Sequence, residues 1–223
     1  MPDWAAQRQF PRYLVQLPVL HQARAPASSR VGVGWTRDLS EGGACLELTD
    51  RFRTSKLLRI RLQTEAGPIE AEAQVAWARE PTLPRGGTLH GVAFTLIAPD
   101  ERQALRDLIR SKGEIRQAGV RLPLDLPVTC QSQGQPGVSL QGRTGNMSQG
   151  GLLLYLPQGL PMGTGIALTL HVPTGPLTAE GEIVWVEPPE RRTKGELVRH
   201  GCLLTAPSWS TSLSLGLLFA EPA

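Results

Sequence analysis

Hydrophobic and polar residues alternate along most of this chain with a period of two, the mark of strands that bury one face. Val15, Leu17 and Val19 share a side, as do Ala44, Leu46 and Leu48, then Leu58, Ile60 and Leu62, then Ala71, Ala73 and Val75. The same parity returns in Leu124, Leu126 and Val128, in Leu152, Leu154 and Leu156, and in Ile166, Leu168 and Leu170. Strands this numerous, dry on one side and without helical periods between them, leave the fewest edges when they close as a small antiparallel barrel. One segment breaks the pattern. In "APDERQALRDLIRSKG", Asp100 is placed to cap a helix, and Leu105, Leu108 and Ile109 fall at helical spacing, so a helix is expected across the mouth of the first barrel. The tail, 208–223, is apolar but poor in helix formers apart from leucine, which leaves its conformation open and suits it to cover the second barrel or to meet a partner.

The recurrence of parity reflects a tandem duplication. "RYLVQLPV" from Arg12 answers to "RLPLDLPV" from Arg121, "AEAQVAW" ending at Trp77 to "AEGEIVW" ending at Trp185, and "HGVAF" from His90 to "HGCLL" from His200, at offsets held between 108 and 110 residues. The fold class expected is therefore all-β, with two tandem small antiparallel barrels, 1–113 and 114–223, and a helix after the first. The 24 glycines and 19 prolines suit the many turns such a chain needs.

Charge narrows the partners. An excess of 23 Lys and Arg over 20 Asp and Glu is too small to require nucleic acid. The basic stretch "RFRTSKLLRIRL" from Arg51 reads as a solvated strand face rather than a platform for stacking bases. Cys45, Cys130 and Cys202 form no metal-ligand pair, and their odd number suits a reducing cytoplasm. No signal sequence or apolar run of spanning length is present, so a cytoplasmic protein with no membrane partner is expected. His21, His90, His171 and His200 are scattered, and two of them recur before a glycine, which suggests a structural role. No acid, base and nucleophile set emerges, and neither an enzyme nor a metal or cofactor is expected.

The candidate chemistry lies in two stretches of the first copy: Arg8 and Arg12 in "RQFPR", and Asp38, Ser40, Gly42 and Gly43 in "RDLSEGGAC". An RxxxR followed by DxSxxG on a small β-barrel resembles the PilZ family of cyclic di-GMP receptors, and the resemblance covers nearly the whole chain as two copies. Pro11 keeps the arginines off a helix, so their backbones stand about 13 Å apart in an extended segment and reach different parts of one anionic ligand. Each guanidinium offers paired bonds to a phosphate or to the O6 and N7 edge of guanine. The resemblance further implies that Asp38 accepts from guanine N1–H and N2–H, that Ser40 adds a hydroxyl and that the glycines let the ligand approach the backbone. It also implies that Trp77, whose parity matches the inward Val75 but which sits at the strand end beside Arg79, can serve as a platform for guanine.

The second copy keeps Arg121, Asn146, Ser148 and Gly151 at the matching positions, but Gln117 replaces Arg8, an amide replaces the carboxylate, and Glu187 stands for Arg79. Arg116 is one residue out of register, and Gly119 would have to bend the chain to bring it back. The first copy is expected to bind cyclic di-GMP and the second to be a degenerate site, structural or relaying to a protein partner. The competing expectation is a nucleotide-independent interaction module built from both barrels.

Overall fold

The computed structural model describes residues 10–24, 30–80, 86–113, 120–134, 139–193, 195–205 and 208–219. It forms two closed six-stranded antiparallel barrels in tandem. The chain divides between Val120 and Arg121, with the segment from Leu215 onward joining the first unit.

The first barrel comprises β1 (Pro18–Ala23), β2 (Gly32–Ser40), β3 (Gly43–Leu48), β4 (Leu57–Leu62), β5 (Ile69–Arg79) and β6 (Thr88–Leu96), in the order β1-β2-β3-β6-β5-β4 with β4 returning to β1. The alternating set forms its interior: Leu17, Val19, Ala44, Leu46, Leu48, Leu62 and Ala73 have no exposed surface. Helix α1 (Pro99–Gly113) follows, packed against β5 and burying Leu105 and Ile109. It begins one residue before the Asp100 expected as its cap, because Pro99 loses nothing where the first amides lack partners; Asp100 lies in the first turn and Ala98 accepts the first helical bond, from Arg102 N–H at 2.8 Å.

The second barrel has β7 (Leu122–Pro123), β8 (Pro127–Ser132), β9 (Ser139–Ser148), β10 (Gly151–Leu156), β11 (Gly165–Val172), β12 (Gly175–Val186) and β13 (Val198–Leu204); β9–β10 pairing closes the six long strands and β7 adds to β9. Helix α2 (Trp209–Leu217) forms in the tail, its start capped by Ser208 Oγ accepting from Thr211 N–H at 3.1 Å. Leu215 is fully buried, and a β-carbon on Gly216 would stand 3.2 Å from Val33 and 3.6 Å from Trp35 of the first barrel. These two large apolar residues on β2 supply the surface the tail needs, whereas the counterpart of Trp35 is Arg143, which pairs at the surface with Asp125 at 2.6 Å.

Two devices recur at the repeat offset. Thr36 Oγ1 donates to Val15 C=O at 2.5 Å and accepts from Leu17 N–H at 2.8 Å; Thr144 Oγ1 does the same to Leu124 C=O and from Leu126 N–H, at 2.5 and 2.9 Å. His90 Nε2 accepts from Phe52 N–H at 3.0 Å while Nδ1 meets Thr88 C=O, and His200 repeats this with Leu160 N–H at 2.9 Å and Val198 C=O. Thr36→Val should destabilise the first barrel by about 2 kcal/mol in urea unfolding, since a near-isosteric side chain leaves the Leu17 amide and Val15 carbonyl without a partner; an unchanged midpoint would contradict this.

The basic stretch does lie on an exposed face, with some of its charges facing acids of β5 and Glu80. Arg59 and Arg61 sit opposite Glu72 and Glu70, Arg24 meets Glu72 at 2.7 Å, and Arg51 meets Glu80 at 2.6 Å. Among the described residues, no helix is long and apolar enough to cross a membrane.

Candidate functional site

The glycine loop is the turn between β2 and β3. Their register runs Ser40 to Gly43, Leu39 to Ala44 and Asp38 to Cys45, then jumps to Thr36 opposite Leu46, so Arg37 is an extra residue. This bulge puts Arg37 and Asp38 together on the outer side, between the buried Thr36 and Leu39. Asp38 Oδ1 accepts from Arg12 Nη1 at 2.6 Å and from Cys45 N–H at 3.1 Å. Both bonds fall on one oxygen, which leaves Oδ2 with acceptor capacity. Arg12 is held there because Tyr13 and Leu39 exchange backbone bonds of 2.9 Å, pinning the incoming segment beside β2. Ser40 Oγ donates to Gly43 C=O at 3.0 Å. A β-carbon on Gly42 would come within 2.8 Å of the Phe10 ring, and one on Gly43 would strike the Val92 carbonyl, so the two glycines permit two separate close approaches.

Trp77 is placed by a second bulge. Val75 faces Val92 and Trp77 faces Gly91, so Ala76 is extra and the parity that would send Trp77 inward beside Val75 is reversed. Its indole, 39% exposed, lies across Gly91 in space a β-carbon would fill. Arg79 Cζ stands 5.9 Å from the indole centroid, a cation–π arrangement. Phe10, Arg12, Ser40, Gly42, Gly43 and Trp77 line one open cavity of about 380 Å³, with Asp38 held to it through Arg12. Arg8 lies outside the described residues. Burial, then the Asp38 carboxylate, pushes the Cys45 thiol up to about 11, so it is inert rather than a nucleophile. Phe10, Gly91 and Ala93, which also belong to the cavity, were not singled out from the sequence. Phe10 stands inside "RQFPR" and Gly91 follows a repeated histidine, and those were the available signals.

The second barrel repeats the scaffold with different chemistry. Gly145 is its extra residue, Asn146 faces Leu153, Ser148 Oγ reaches Gly151 C=O at 3.4 Å, and a bulge before Trp185 sets it opposite Gly201, 41% exposed. Glu187, at the position of Arg79, is buried and takes Arg199 Nε at 2.9 Å together with its Nη2; these bonds hold its carboxyl below the usual range. Leu153 and Leu203 occupy the places of Cys45 and Ala93, so the face is bulkier and less polar. Arg121 is exposed, and Arg116, Gln117 and Gly119 lie outside the described residues.

The PilZ domain model matches residues 6–111 and again 115–208. The chain belongs to the PilZ domain family. Among solved structures, the chain is similar at low identity to the following. Borreliella burgdorferi PlzA, in complex with c-di-GMP, is 13% identical over 93% of this chain and 87% of its own, with a TM-score of 0.39. The PilZ domain of Escherichia coli YcgR with c-di-GMP is 18% identical over 49% of this chain and 95% of its own, at 0.42. The Bacillus subtilis inhibitor of motility MotI/DgrA is 13% identical over 92% and 95%, at 0.38. No curated protein matches by sequence.

Proposed function

We propose that this chain is a cyclic di-GMP receptor in which the first barrel holds the ligand. Asp38 accepts from the guanine Watson–Crick edge, and Arg12 binds phosphate or the O6 and N7 edge. Trp77 and Arg79 flank the base, Ser40, Gly42 and Gly43 line the backbone approach, and Arg8 joins from the amino-terminal segment. The single observation that supports this most is the Arg12 to Asp38 pair standing at the edge of an open cavity beside a half-exposed indole. The second barrel has the same bulges, yet its buried Glu187 is taken by Arg199 and Leu153 and Leu203 stand where the first barrel has Cys45 and Ala93, which supports a structural or relaying role for it in a non-enzymatic, cytoplasmic protein. Arg106 of α1 meets Glu41 of the glycine loop at 2.7 Å, a link through which loop movement reaches the helix leading to the second barrel and, beyond it, a protein partner.

Titration calorimetry with cyclic di-GMP, GMP and cyclic di-AMP tests the reading. Cyclic di-GMP should bind with one site per chain and the others far more weakly. Arg12→Ala should weaken binding by about ten- to hundredfold, the loss of one charge-assisted contact. Full binding by Arg12→Ala would assign the site to the second barrel, and no binding by the wild type would leave the nucleotide-independent module.

A further inference from the structure

Arg37 belongs to neither motif, and the fold does not require it. As the extra residue of the β2 bulge it stands on the ligand face with its side chain 43% exposed, paired with the nearly buried Glu47. Glu47 is itself fixed by Gly87 N–H, donating at 3.1 Å to Oε1. Glu47 lies opposite Leu89, and Leu89 lies opposite Arg79, so Arg37 and Arg79 flank one end of the face whose middle is Cys45, Gly91 and Trp77. Asp38, Arg12, Arg37 and Glu47 all act on the Cys45 thiol, and Cys45 lies opposite Gly91 of the cavity lining.

The second barrel supplies an internal control. It keeps the bulge, the threonine bridge and the histidine clasp, but Gly145 and Tyr155 replace Arg37 and Glu47, and Glu187 with Arg199 replaces Arg79 with Leu89. A β-carbon on Gly145 would lie 3.2 Å from Tyr155 Cζ, so glycine and tyrosine pack where the ion pair stands. A barrel of this kind therefore folds without the pair, and the pair accompanies the copy whose site is open.

We infer that Arg37 is a further ligand-contacting and specificity-determining arginine, donating to a phosphate oxygen of the bound cyclic dinucleotide, with Glu47 as the positioning residue that fixes its guanidinium. The inference rests on the proposed receptor reading. A guanidinium carries five N–H donors in a rigid fork, and one carboxylate engages only part of them, so the remainder faces the ligand already oriented.

Calorimetry with cyclic di-GMP at several KCl concentrations tests it. Arg37→Ala should weaken binding about tenfold and make the affinity less salt-dependent, because one phosphate contact is gone. Arg37→Lys should recover part of the loss, and Glu47→Gln should cost several-fold with an unchanged salt slope. If Arg37→Ala fails to fold, the double variant Arg37→Gly with Glu47→Tyr restores the packing of the second barrel and should show the same tenfold loss. A dissociation constant unchanged in the folded variant overturns this inference alone. Absence of binding by the wild-type chain overturns it together with the receptor reading.

Discussion

Acidification from pH 6.5 to about 4 should remove about 3 kcal/mol of stability from the first barrel through one side chain, His21. The ring is buried, 5.4 Å from Phe52 in an edge arrangement, with Asp50 Oδ2 3.6 Å from Nε2, too far for a strong hydrogen bond. Burial pushes its pKa down from 6.5 to about 4, and nearby His90 adds to this, while Asp50 and the Val33 backbone only partly oppose it. Folded His21 stays neutral across this window, whereas the unfolded chain takes up the proton below 6.5. The contribution is thus complete above 6.5, falls as pH drops towards 4, and levels off below, where both states are protonated. His90 and His200 are also held low, mainly by burial, and act in the same direction. Each uses Nε2 to accept a backbone N–H, a bond a second ring proton would abolish. Urea unfolding followed by tryptophan fluorescence should show the wild type losing up to about 1.4 kcal/mol per pH unit more than His21→Leu between pH 6 and 4.5. Parallel pH profiles for the two proteins would refute this.

The barrels were legible in the sequence because burial on one face enforces a period of two, and because the duplication supplied a second reading of each strand. Leu46 and Leu154 tell the same story 108 residues apart. The single residues added by bulges were not legible. Alternation carried through Val75 puts Trp77 inside, and only the extra Ala76 turns it out, a consequence of cross-strand register that no local pattern encodes. Arg37 was missed for the same reason: strict alternation gives no hint that it shares a side with Asp38. The tail was open because its serines are weak helix formers, and what orders it, Val33 and Trp35, lies some 180 residues away in sequence. The motif residues Arg12, Asp38 and Ser40 could be named from spacing, but the bond from Arg12 to Asp38 depends on the Tyr13 and Leu39 backbone pairing, which is tertiary.

Replacing Asp38 should weaken cyclic di-GMP binding more than any other single change, by over a hundredfold for Asp38→Ala. The carboxylate serves two purposes, since Oδ1 anchors Arg12 at 2.6 Å and the Cys45 amide at 3.1 Å while Oδ2 keeps capacity for a base edge. In the proposed receptor its removal forfeits its own bond to the ligand and the orientation of Arg12, two charge-assisted interactions of about 1.5 to 3 kcal/mol each. At about 1.4 kcal/mol per decade the pair exceeds a hundredfold. Asp38→Asn retains shape and one acceptor but not charge, and should fall between, near tenfold. Calorimetry on both variants, with thermal unfolding to verify that each is folded, decides the matter. The amide variant also bears on the second barrel, because it writes Asn146 into the first. If Asp38→Asn binds like the wild type, the amide does not silence the second site. The weight then shifts to Gln117, to the Glu187 and Arg199 pair, and to Leu153 in the place of Cys45. If it weakens as expected, Asn146→Asp alone should still not create a site, since the leucines and the occupied acid remain in place.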